Sequence, residues 1–346
     1  MNCAIVTPTL GGFGGEETVI TKVCNSEFLK DKRVKISLII LGKSLNDNWL
    51  KKIKAKTYVS NSENEVYNFN VLRKLIKKEK IETVLCLSEK SIIFSYIIRK
   101  LPFYNHFTIF SWIHFDLSKV NTKFLKLADH HLAISNSISN QLQEFNIADE
   151  HQISVIFNPI DHSNLLIKKS RSNKFIYVGR ITFKGQKNLK ELIDGLAQCS
   201  LEEWSLSIIG DGKDVRQCQD YINSYYPHIS SRIKWLGWIA NPWEIINDAT
   251  SLILTSEYEG LAMVLLESVA NGLPCLASDC RGTSDIIKPG VNGELYHLGN
   301  LNDFNEKLQK IVMTNYNKAQ MKKSLCTFYN EKYMERLYKA IRYEVI

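Results

Sequence analysis

Short apolar runs alternate with amphipathic segments along the whole chain. In the first half, the runs predicted to be strands are Cys3–Val6, Val34–Leu41, Thr83–Leu87, Phe107–Phe110, His131–Ile134 and Ile153–Ile156. In the second half they are Phe175–Val178, Leu206–Ile209, Ile233–Trp235, Leu252–Leu254 and Pro274–Ala277. Segments with the spacing of amphipathic helices, such as Glu65–Lys78 and Asn136–Phe145, lie between them. Because strands that alternate with helices usually pair in parallel, this pattern predicts an α/β fold.

The pattern of strands and helices runs through twice, which indicates two domains. A chain of 346 residues is long enough for two domains that each bury a core. The polar, basic stretch Lys168–Lys174 precedes the second series and is predicted to be a linker. We predict one doubly wound domain over residues 1–165, a second over 166–327, and a C-terminal helical segment over about 328–346.

The composition is that of an ordinary globular protein, with 45% hydrophobic and 23% charged residues. The N-terminus lacks the basic region of a signal peptide, and the apolar stretch Ser91–Ile98 is too short to span a bilayer. The eight cysteines include no Cys-x-x-Cys pair and are expected to be free thiols. These features predict a cytosolic protein.

The net charge of +8 is concentrated in the first half of the chain. Residues 1–162 contain 21 Lys and Arg against 16 Asp and Glu, a surplus of five, with basic clusters at 51–56 and 73–80. These clusters are either solvated helix faces or a surface attracted to an anionic membrane or a phosphorylated glycolipid. No zinc-finger, helix-turn-helix or RNP-type pattern accompanies the charge, so nucleic acid is not an expected partner.

Two acids eight positions apart, Glu259 and Glu267, frame a loop that runs into an apolar helix. Gly260 beside the first acid lets a ligand approach the backbone closely. The unpaired N–H groups and the positive dipole end of the helix start attract phosphate, and an acid one or two turns further in can reach a neighbouring hydroxyl. The alternative is two unrelated surface acids, because short motifs often match by chance.

Basic residues follow the first strand of the second half. Arg180 ends that strand, and Lys184 and Lys187 precede the next helix. Two converging cations suit a nucleotide diphosphate, which arginine grips with a fork and lysine with a point charge. A pair of ordinary surface cations is the alternative.

Two motifs in the first half follow predicted strands. Four glycines within residues 11–15 allow a sugar or an anion to lie against the backbone, although a flexible turn would have the same composition. The dinucleotide-binding fingerprint would need a third glycine at Glu17, so NAD is not expected. His114 comes directly after a strand, where ligands of open parallel sheets bind, whereas most lone histidines are structural.

Weaker motifs follow two further strands of the second half. Gly210 lies in a tight turn, and Gly237 and Trp238 follow the next strand, where core packing of Trp238 is an equally good interpretation. No Asp-x-Asp motif is present, so no metal cofactor is expected, and the cations and the helix dipole would neutralise a leaving phosphate.

Together these motifs resemble the retaining glycosyltransferases of family 4, which have the GT-B fold, over nearly the whole chain. The resemblance implies two Rossmann-like domains that face each other across a cleft. It implies that Glu259 faces the donor sugar, that His114 contacts the same sugar and that Glu267 holds the ribose. The residues that it assigns to the donor diphosphate are Arg180, Lys187, Gly14, Gly15, Leu261, Ala262 and Met263.

The resemblance also assigns the nucleotide base to Gly237 and Trp238. Glu17, Lys184 and Gly210 are further candidates. Lys184 is the fallback for Lys187 because Asn188 stands where the family usually has glycine. The family's retaining reaction needs no protein nucleophile, since the departing phosphate helps to take the proton of the acceptor.

Four segments narrow the resemblance within the family: Gly12–Gly15, His106–Trp112, His131–Ser135 and Gly185–Lys187. They are similar to members that transfer galactose from UDP-galactose to a glucose of the lipopolysaccharide outer core in an α-1,6 linkage, at the cytoplasmic face of the inner membrane. Other family hexosyltransferases remain open, with UDP-glucose or UDP-N-acetylhexosamine as donor and O-antigen, capsule or another glycolipid as acceptor. A UDP-sugar epimerase of the GT-B fold and a non-catalytic module that binds sugar nucleotides also remain open.

Overall fold

The computed structural model describes residues 1–11, 14–104 and 106–343, which divide into two compact units. One unit contains Met1–Pro159 and the C-terminal segment from Asn330, and the other contains Ile160–Tyr329. The boundaries predicted at 165/166 and 327/328 lie six residues after the first of these divisions and two residues before the second. The chain enters and leaves the second unit side by side, because Ile160 N donates to Phe328 O at 2.8 Å and Ile160 pairs with Tyr329.

The first unit contains a seven-stranded parallel sheet in the order β3-β2-β1-β4-β5-β6-β7. Its strands are β1 (Asn2–Thr7), β2 (Lys35–Ile40), β3 (Lys56–Val59), β4 (Thr83–Cys86), β5 (Thr108–Ser111), β6 (His130–Ala133) and β7 (Ile153–Val155). The helices between them are α1 (Gly15–Cys24), α2 (Glu27–Asp31), α3 (Asp47–Leu50), α4 (Glu65–Lys78), α5 (Glu89–Lys100) and α6 (Asn136–Glu144). Short 3-10 helices cover Leu117–Lys119, Leu125–Leu127 and Glu150–Gln152.

The second unit contains a six-stranded parallel sheet in the order β11-β10-β9-β13-β14-β15 and a two-stranded ribbon of β8 and β12. Its strands are β8 (Lys168–Lys169), β9 (Asn173–Val178), β10 (Trp204–Ile209), β11 (Ile233–Gly237), β12 (Asp248–Ala249), β13 (Ser251–Leu254), β14 (Cys275–Ser278) and β15 (Gly293–Tyr296). Its helices are α7 (Leu189–Ala197), α8 (Val215–Tyr225), α9 (Met263–Ala270), α10 (Leu301–Met313) and α11 (Lys318–Ser324), with 3-10 helices at Pro227–Arg232 and Pro242–Glu244.

The predicted α/β fold with doubly wound parallel sheets is confirmed. Strands β4, β13 and β14 are buried at every position, as expected for central strands covered by helices on both faces. In each sheet the order reverses beside the first strand, between β1 and β4 and between β9 and β13. Ligands of such sheets bind at the carboxyl ends of the strands at this reversal.

Two parts of the sequence interpretation need correction. The predicted linker Lys168–Lys174 is wrong, because β8 pairs with β12 and the central strand β9 begins at Asn173. Strands β3 and β15 were not predicted from the apolar pattern. Both are four-residue strands at an edge of their sheet, where polar residues are tolerated.

The chain ends in helix α12 (Asn330–Arg342), which belongs to the first unit. Its inner face buries Tyr333 and Leu337, and the Arg336 guanidinium donates to Ile156 O at 3.0 Å. The predicted helical C-terminal segment is therefore present over these residues. None of the helices in the described part of the chain has the length and apolar character that a membrane span requires.

Candidate functional site

An ion pair lies at the strand reversal of the second sheet. Lys187 follows β9 and Glu259 follows β13, and Lys187 Nζ lies 2.6 Å from Glu259 Oε1. The exposed fractions of the two side chains are 15% and 7%. Because both charges are largely removed from water, each depends on the other for compensation. The geometry also separates the two candidate lysines, since Lys184 is exposed and forms no ion pair with the described residues.

Neighbouring hydroxyl and backbone groups hold the Glu259 carboxylate in place. Ser256 Oγ donates to Oε1 at 2.7 Å, and Glu259 N donates to Arg281 O at 3.0 Å. Gly282, with φ of +85°, packs so closely that an added Cβ would lie 2.5 Å from Glu259 O. Oε1 therefore takes both side-chain bonds, and within the described chain Oε2 has no hydrogen-bond donor. Oε2 is therefore available to accept a hydrogen bond from a ligand hydroxyl.

The backbone of Lys187 is held equally firmly. Its N–H donates to Thr182 Oγ1 at 3.0 Å. The buried Thr255 hydroxyl lies 3.2 Å from Lys187 O and 3.0 Å from Asn188 O. Because Thr255 directly follows β13, this contact ties the loop that carries Lys187 to the strand that precedes Glu259.

The turns after β9, β10 and β11 pack against one another. An added Cβ on Gly210, where φ is +145°, would lie 1.9 Å from Gly179 O, and Gly210 N donates to Gly237 O at 2.8 Å. Only glycine fits at position 210 without moving the backbone. The exposed Arg180 lies at the end of the first turn, and Tyr177 OH donates to its carbonyl at 2.6 Å. Burial, followed by the nearby Glu259, raises the pKa of Tyr177 well above its usual value of 10, so this donor stays protonated.

Helix α9 begins beside Glu259 with an apolar start. The residues Leu261 and Ala262 are buried, and no side chain within the described residues caps the helix. Its first N–H groups and its positive dipole end therefore suit an anion. One turn further along, Glu267 is half-buried, and its Oε2 accepts a hydrogen bond from Trp243 Nε1 at 3.0 Å.

Gly237 and Trp238 form an open surface at the end of β11. An added Cβ on Gly237 would meet no neighbouring atom within 4 Å, and Trp238 is 57% exposed. Core packing, the alternative interpretation of Trp238, is therefore wrong. The prediction that these residues contact the nucleotide base remains a prediction.

In the first unit, the start of α1 is capped by its own glutamate. Gly14 N donates to Glu17 Oε2 at 2.8 Å, so a phosphate at this N–H would have to displace the Glu17 carboxylate. Burial, followed by the charge of Glu17, raises the pKa of Glu16 to about 7. Gly15 is exposed as the first residue of the helix. Gly12 and Phe13 of the same loop lie outside the described residues.

His114 follows β5 and keeps a neutral ring. Burial lowers its pKa to about 3, and its ring lies against Trp112 with the centroids 4.9 Å apart. The buried Nε2 has no hydrogen-bond partner in the described chain. The loop is anchored just beyond His114, because Asp116 Oδ1 accepts from Gln141 Nε2 at 2.9 Å and from Ser118 N at 2.8 Å.

Sequence reasoning missed several residues that complete the site. Ser256 lies three positions before Glu259, so its spacing could have suggested it. Trp243, Thr255 and Gly282 gave no local signal, because tertiary packing alone brings them to Glu267, Lys187 and Glu259. In the described part of the chain, no group of three or more His, Cys, Asp or Glu side chains is placed to hold a metal ion.

The chain is similar to known glycosyltransferases in sequence and in fold. The family described as glycosyl transferases group 1 matches residues 161–324. The chain is 37% identical over 330 residues to the lipopolysaccharide 1,6-galactosyltransferase of Salmonella typhimurium, covering 90% of each chain. It is 34% identical over 356 residues to the lipopolysaccharide 1,6-galactosyltransferase of Escherichia coli, covering 99% of this chain and 98% of the relative. The solved structure of the lipopolysaccharide outer core galactosyltransferase WaaB in its apo form superposes with a TM-score of 0.87 at 34% identity, over 99% of both chains.

Proposed function

The chain belongs to the group 1 glycosyltransferases, and we propose that it is a retaining enzyme that moves galactose from UDP-galactose onto a glucose of the lipopolysaccharide outer core in an α-1,6 linkage. Two relatives that align with 90% or more of the chain are named lipopolysaccharide 1,6-galactosyltransferases. The observation that carries the proposal is the buried pair of Lys187 and Glu259 at the strand reversal of the second sheet. In this proposal the positive charge of Lys187 acts on the diphosphate, and the negative charge of Glu259 acts on the sugar.

Negative charge on the departing diphosphate needs fixed positive groups. We assign this task to Lys187, to the exposed Arg180 and to the N-terminal amides of α9 beside Leu261–Met263. Groups that are already oriented stabilise developing charge without reorganising at the moment of reaction. The Lys187 ammonium would turn from Glu259 to the phosphate when the donor binds, before the reaction step.

Glu259, Glu267 and His114 would hold the rest of the donor. Oε2 of Glu259 would accept a sugar hydroxyl, and Glu267, oriented by Trp243, would accept the ribose hydroxyls. His114, whose low pKa keeps it neutral, would present its ring or the neighbouring backbone to the sugar. Gly237 and Trp238 would contact the base.

The bond between the sugar and UDP would break while the acceptor oxygen attacks the same face of the anomeric carbon. The acceptor proton would pass to the departing phosphate, so that UDP and the new glycoside are the products. With Glu267 assigned to the ribose, Glu259 and Glu267 would not act as the two carboxylates, about 5 Å apart, that a retaining hydrolase uses as nucleophile and acid. We propose that no metal is needed, since Lys187, Arg180 and the helix dipole neutralise the phosphate.

The experiment that tests this function measures UDP release from a panel of UDP-hexoses, with and without truncated lipopolysaccharide. The expected result is release with UDP-galactose only when the acceptor is present, at a rate that a chelator leaves unchanged. Release with another UDP-sugar or another glycolipid would replace the assigned substrates. Epimerised sugar without an acceptor, or UDP binding without any release, would overturn the transferase assignment, and loss of turnover with a chelator would overturn metal independence.

Replacement of Glu267 tests the ribose assignment. We expect Glu267→Ala to weaken UDP binding about ten- to hundredfold, because hydrogen bonds to a charged group contribute about 1.5 to 3 kcal/mol. Calorimetric titration with UDP measures the change. Trp243→Phe is the matched control, since it removes the indole N–H and keeps the Glu267 carboxylate, and it should cost less. Unchanged affinity in Glu267→Ala would show that the ribose lies elsewhere.

We further propose that the protein works at the cytoplasmic face of the inner membrane and binds it peripherally through the first unit. Helices α4 and α5 pack side by side, with Lys90 Nζ 2.5 Å from Glu65 Oε1 and the Phe69 and Phe94 rings 5.6 Å apart. Their C-terminal ends therefore share one edge of the unit. The exposed cations at this edge are Lys74, Lys77, Lys78, Lys80 and Lys100.

A bulky apolar residue stands next to these cations. Phe103, just after α5, is 89% exposed and has φ of +72°, a backbone conformation that large side chains rarely adopt. An exposed aromatic ring amid lysines suits the interface of an anionic bilayer, where each cation contributes about 1 kcal/mol.

Vesicle sedimentation tests this surface. We expect the protein to bind vesicles that contain anionic phosphatidylglycerol and to release them as the salt concentration is raised. The variant Phe103→Ser should bind these vesicles about tenfold more weakly than the wild type. Phe145→Ser is the matched control, because Phe145 is 39% exposed and follows Gln143 and Glu144 rather than lysines. Equal loss in both variants, or binding to neutral vesicles alone, would remove this surface from the proposal.

A further inference from the structure

Asn188 begins helix α7 in a left-handed backbone conformation, with φ of 46° and ψ of 52°. Glycine adopts this conformation freely, whereas asparagine adopts it at some cost. Asn188 is 9% exposed, and its Nδ2 donates to Glu191 Oε2 at 2.7 Å. The Glu191 side chain, one turn further along the same helix, therefore holds Asn188 in this conformation. Glycine is usual at this position in the family.

Glu191 connects Asn188 to a second segment. Its other oxygen, Oε1, accepts a hydrogen bond from Gly299 N at 2.8 Å, in the loop that follows β15. Glu191 is only 9% exposed, and both of its carboxylate oxygens accept hydrogen bonds, one from the buried Asn188 and one from the exposed Gly299. Removal of this carboxylate would leave the buried Asn188 amide without its partner, at a cost greater than the bond itself contributes, whereas the exposed Gly299 N–H could bond to water.

The backbone that Asn188 holds also carries Lys187. The Thr255 hydroxyl contacts the carbonyls of both Lys187 and Asn188, so these two peptides cannot rotate independently. If Asn188 left the left-handed region, the Lys187 carbonyl would turn away from Thr255. The Lys187 ammonium would then leave its position 2.6 Å from Glu259.

We propose that Glu191 is a positioning residue of the donor site, which holds Asn188 left-handed and thereby aims Lys187 at the donor diphosphate. The inference rests on the role proposed above for Lys187. Asn188 and Glu191 act together in this chain, because the Glu191 carboxylate holds the Asn188 side chain. With glycine at position 188 the backbone would keep the same conformation without a tether, and Glu191 would lose its importance.

A double-mutant cycle tests whether Glu191 acts on the donor site through Asn188. The variants E191A, N188G and N188G/E191A are titrated with UDP and assayed for donor KM and kcat. We expect E191A to raise the UDP Kd and the donor KM about five- to twentyfold, with kcat changed less than about threefold. N188G should stay within about threefold of wild type, and E191A should add less than about twofold in the N188G background.

Asp194→Ala is the matched control. Asp194 is a second buried acid of α7, 7% exposed, and its carboxylate bonds to Lys190 Nζ and Tyr221 OH rather than to Asn188. It should leave UDP affinity unchanged, whereas a general weakening of α7 would affect both variants alike.

If E191A does not fold, E191Q takes its place, because a glutamine can accept from only one of the two donors. E191Q should then weaken UDP binding less, and again only when Asn188 is present.

Two results would overturn the inference: wild-type UDP affinity in E191A, or an equal effect of E191A with and without N188G. The second result would show that the carboxylate acts through the Gly299 loop. Lys187→Ala separates this failure from failure of the proposed function. If Lys187→Ala weakens UDP binding and E191A does not, only the positioning role is wrong, whereas unchanged affinity in Lys187→Ala removes the premise of both.

Discussion

Glu259→Gln should abolish most sugar transfer while leaving UDP binding intact. The glutamine carbonyl can still accept from Lys187 Nζ and Ser256 Oγ, which hold Oε1 at 2.6 and 2.7 Å. The amide nitrogen, however, would replace Oε2, the oxygen proposed to accept a sugar hydroxyl. We expect kcat to fall about 100-fold or more, in the range seen when one oriented group is lost from a transition-state site.

The UDP affinity of this variant distinguishes the role at the sugar from a role at the diphosphate. Removal of one negative charge beside Lys187 should leave the UDP Kd unchanged or slightly lower. Glu257→Gln is the matched control in the same loop, because Glu257 is exposed and, among the described residues, its carboxylate accepts only from Gly185 N, at 3.2 Å. It should keep kcat within about threefold. If Glu259→Gln kept kcat within about threefold as well, or lost UDP binding in proportion, the carboxylate would not act on the sugar.

Much of the fold follows from local patterns in the sequence. Helix α4 has the bounds predicted from its amphipathic spacing, and the structure shows that Asn64 caps its start. Buried central strands such as β4 and β13 appear as short apolar runs. The edge strands β3 and β15 do not, because each mixes polar with apolar residues, which a strand at the edge of a sheet tolerates.

The candidate site was predictable only in part. Residues in the loops that follow strands, such as Lys187, Glu259 and His114, could be placed from the order of elements. Their conformations could not, because Thr255, Ser256 and Gly282 hold them through contacts that depend on the folded sheet. Glu17 shows the opposite limit: its bond to Gly14 is local, yet the sequence does not reveal whether the helix start is capped by the chain or open to a ligand.

Lys187→Ala should have the largest effect on donor binding. The variant would lose the ammonium proposed to meet the diphosphate and would leave the Glu259 carboxylate, whose side chain is only 7% exposed, without its counterion. That uncompensated charge would also repel the incoming phosphate. We expect the UDP Kd to rise about 100-fold and kcat/KM to fall about 1000-fold, as measured by titration and by initial rates.

The same substitution should lower the free energy of unfolding by about 3 kcal/mol, because one partner of a buried ion pair is removed. The double variant K187A/E259Q tests this cause, since it removes both charges. It should recover most of the lost stability in thermal or urea unfolding and only the part of the UDP affinity that repulsion by Glu259 had removed, but it should not recover transfer. Lys184→Ala, at the exposed fallback lysine, should stay within about threefold of wild type in both assays. A larger loss of UDP affinity in Lys184→Ala than in Lys187→Ala would move the diphosphate to Lys184 and leave the Lys187–Glu259 pair with a purely structural role.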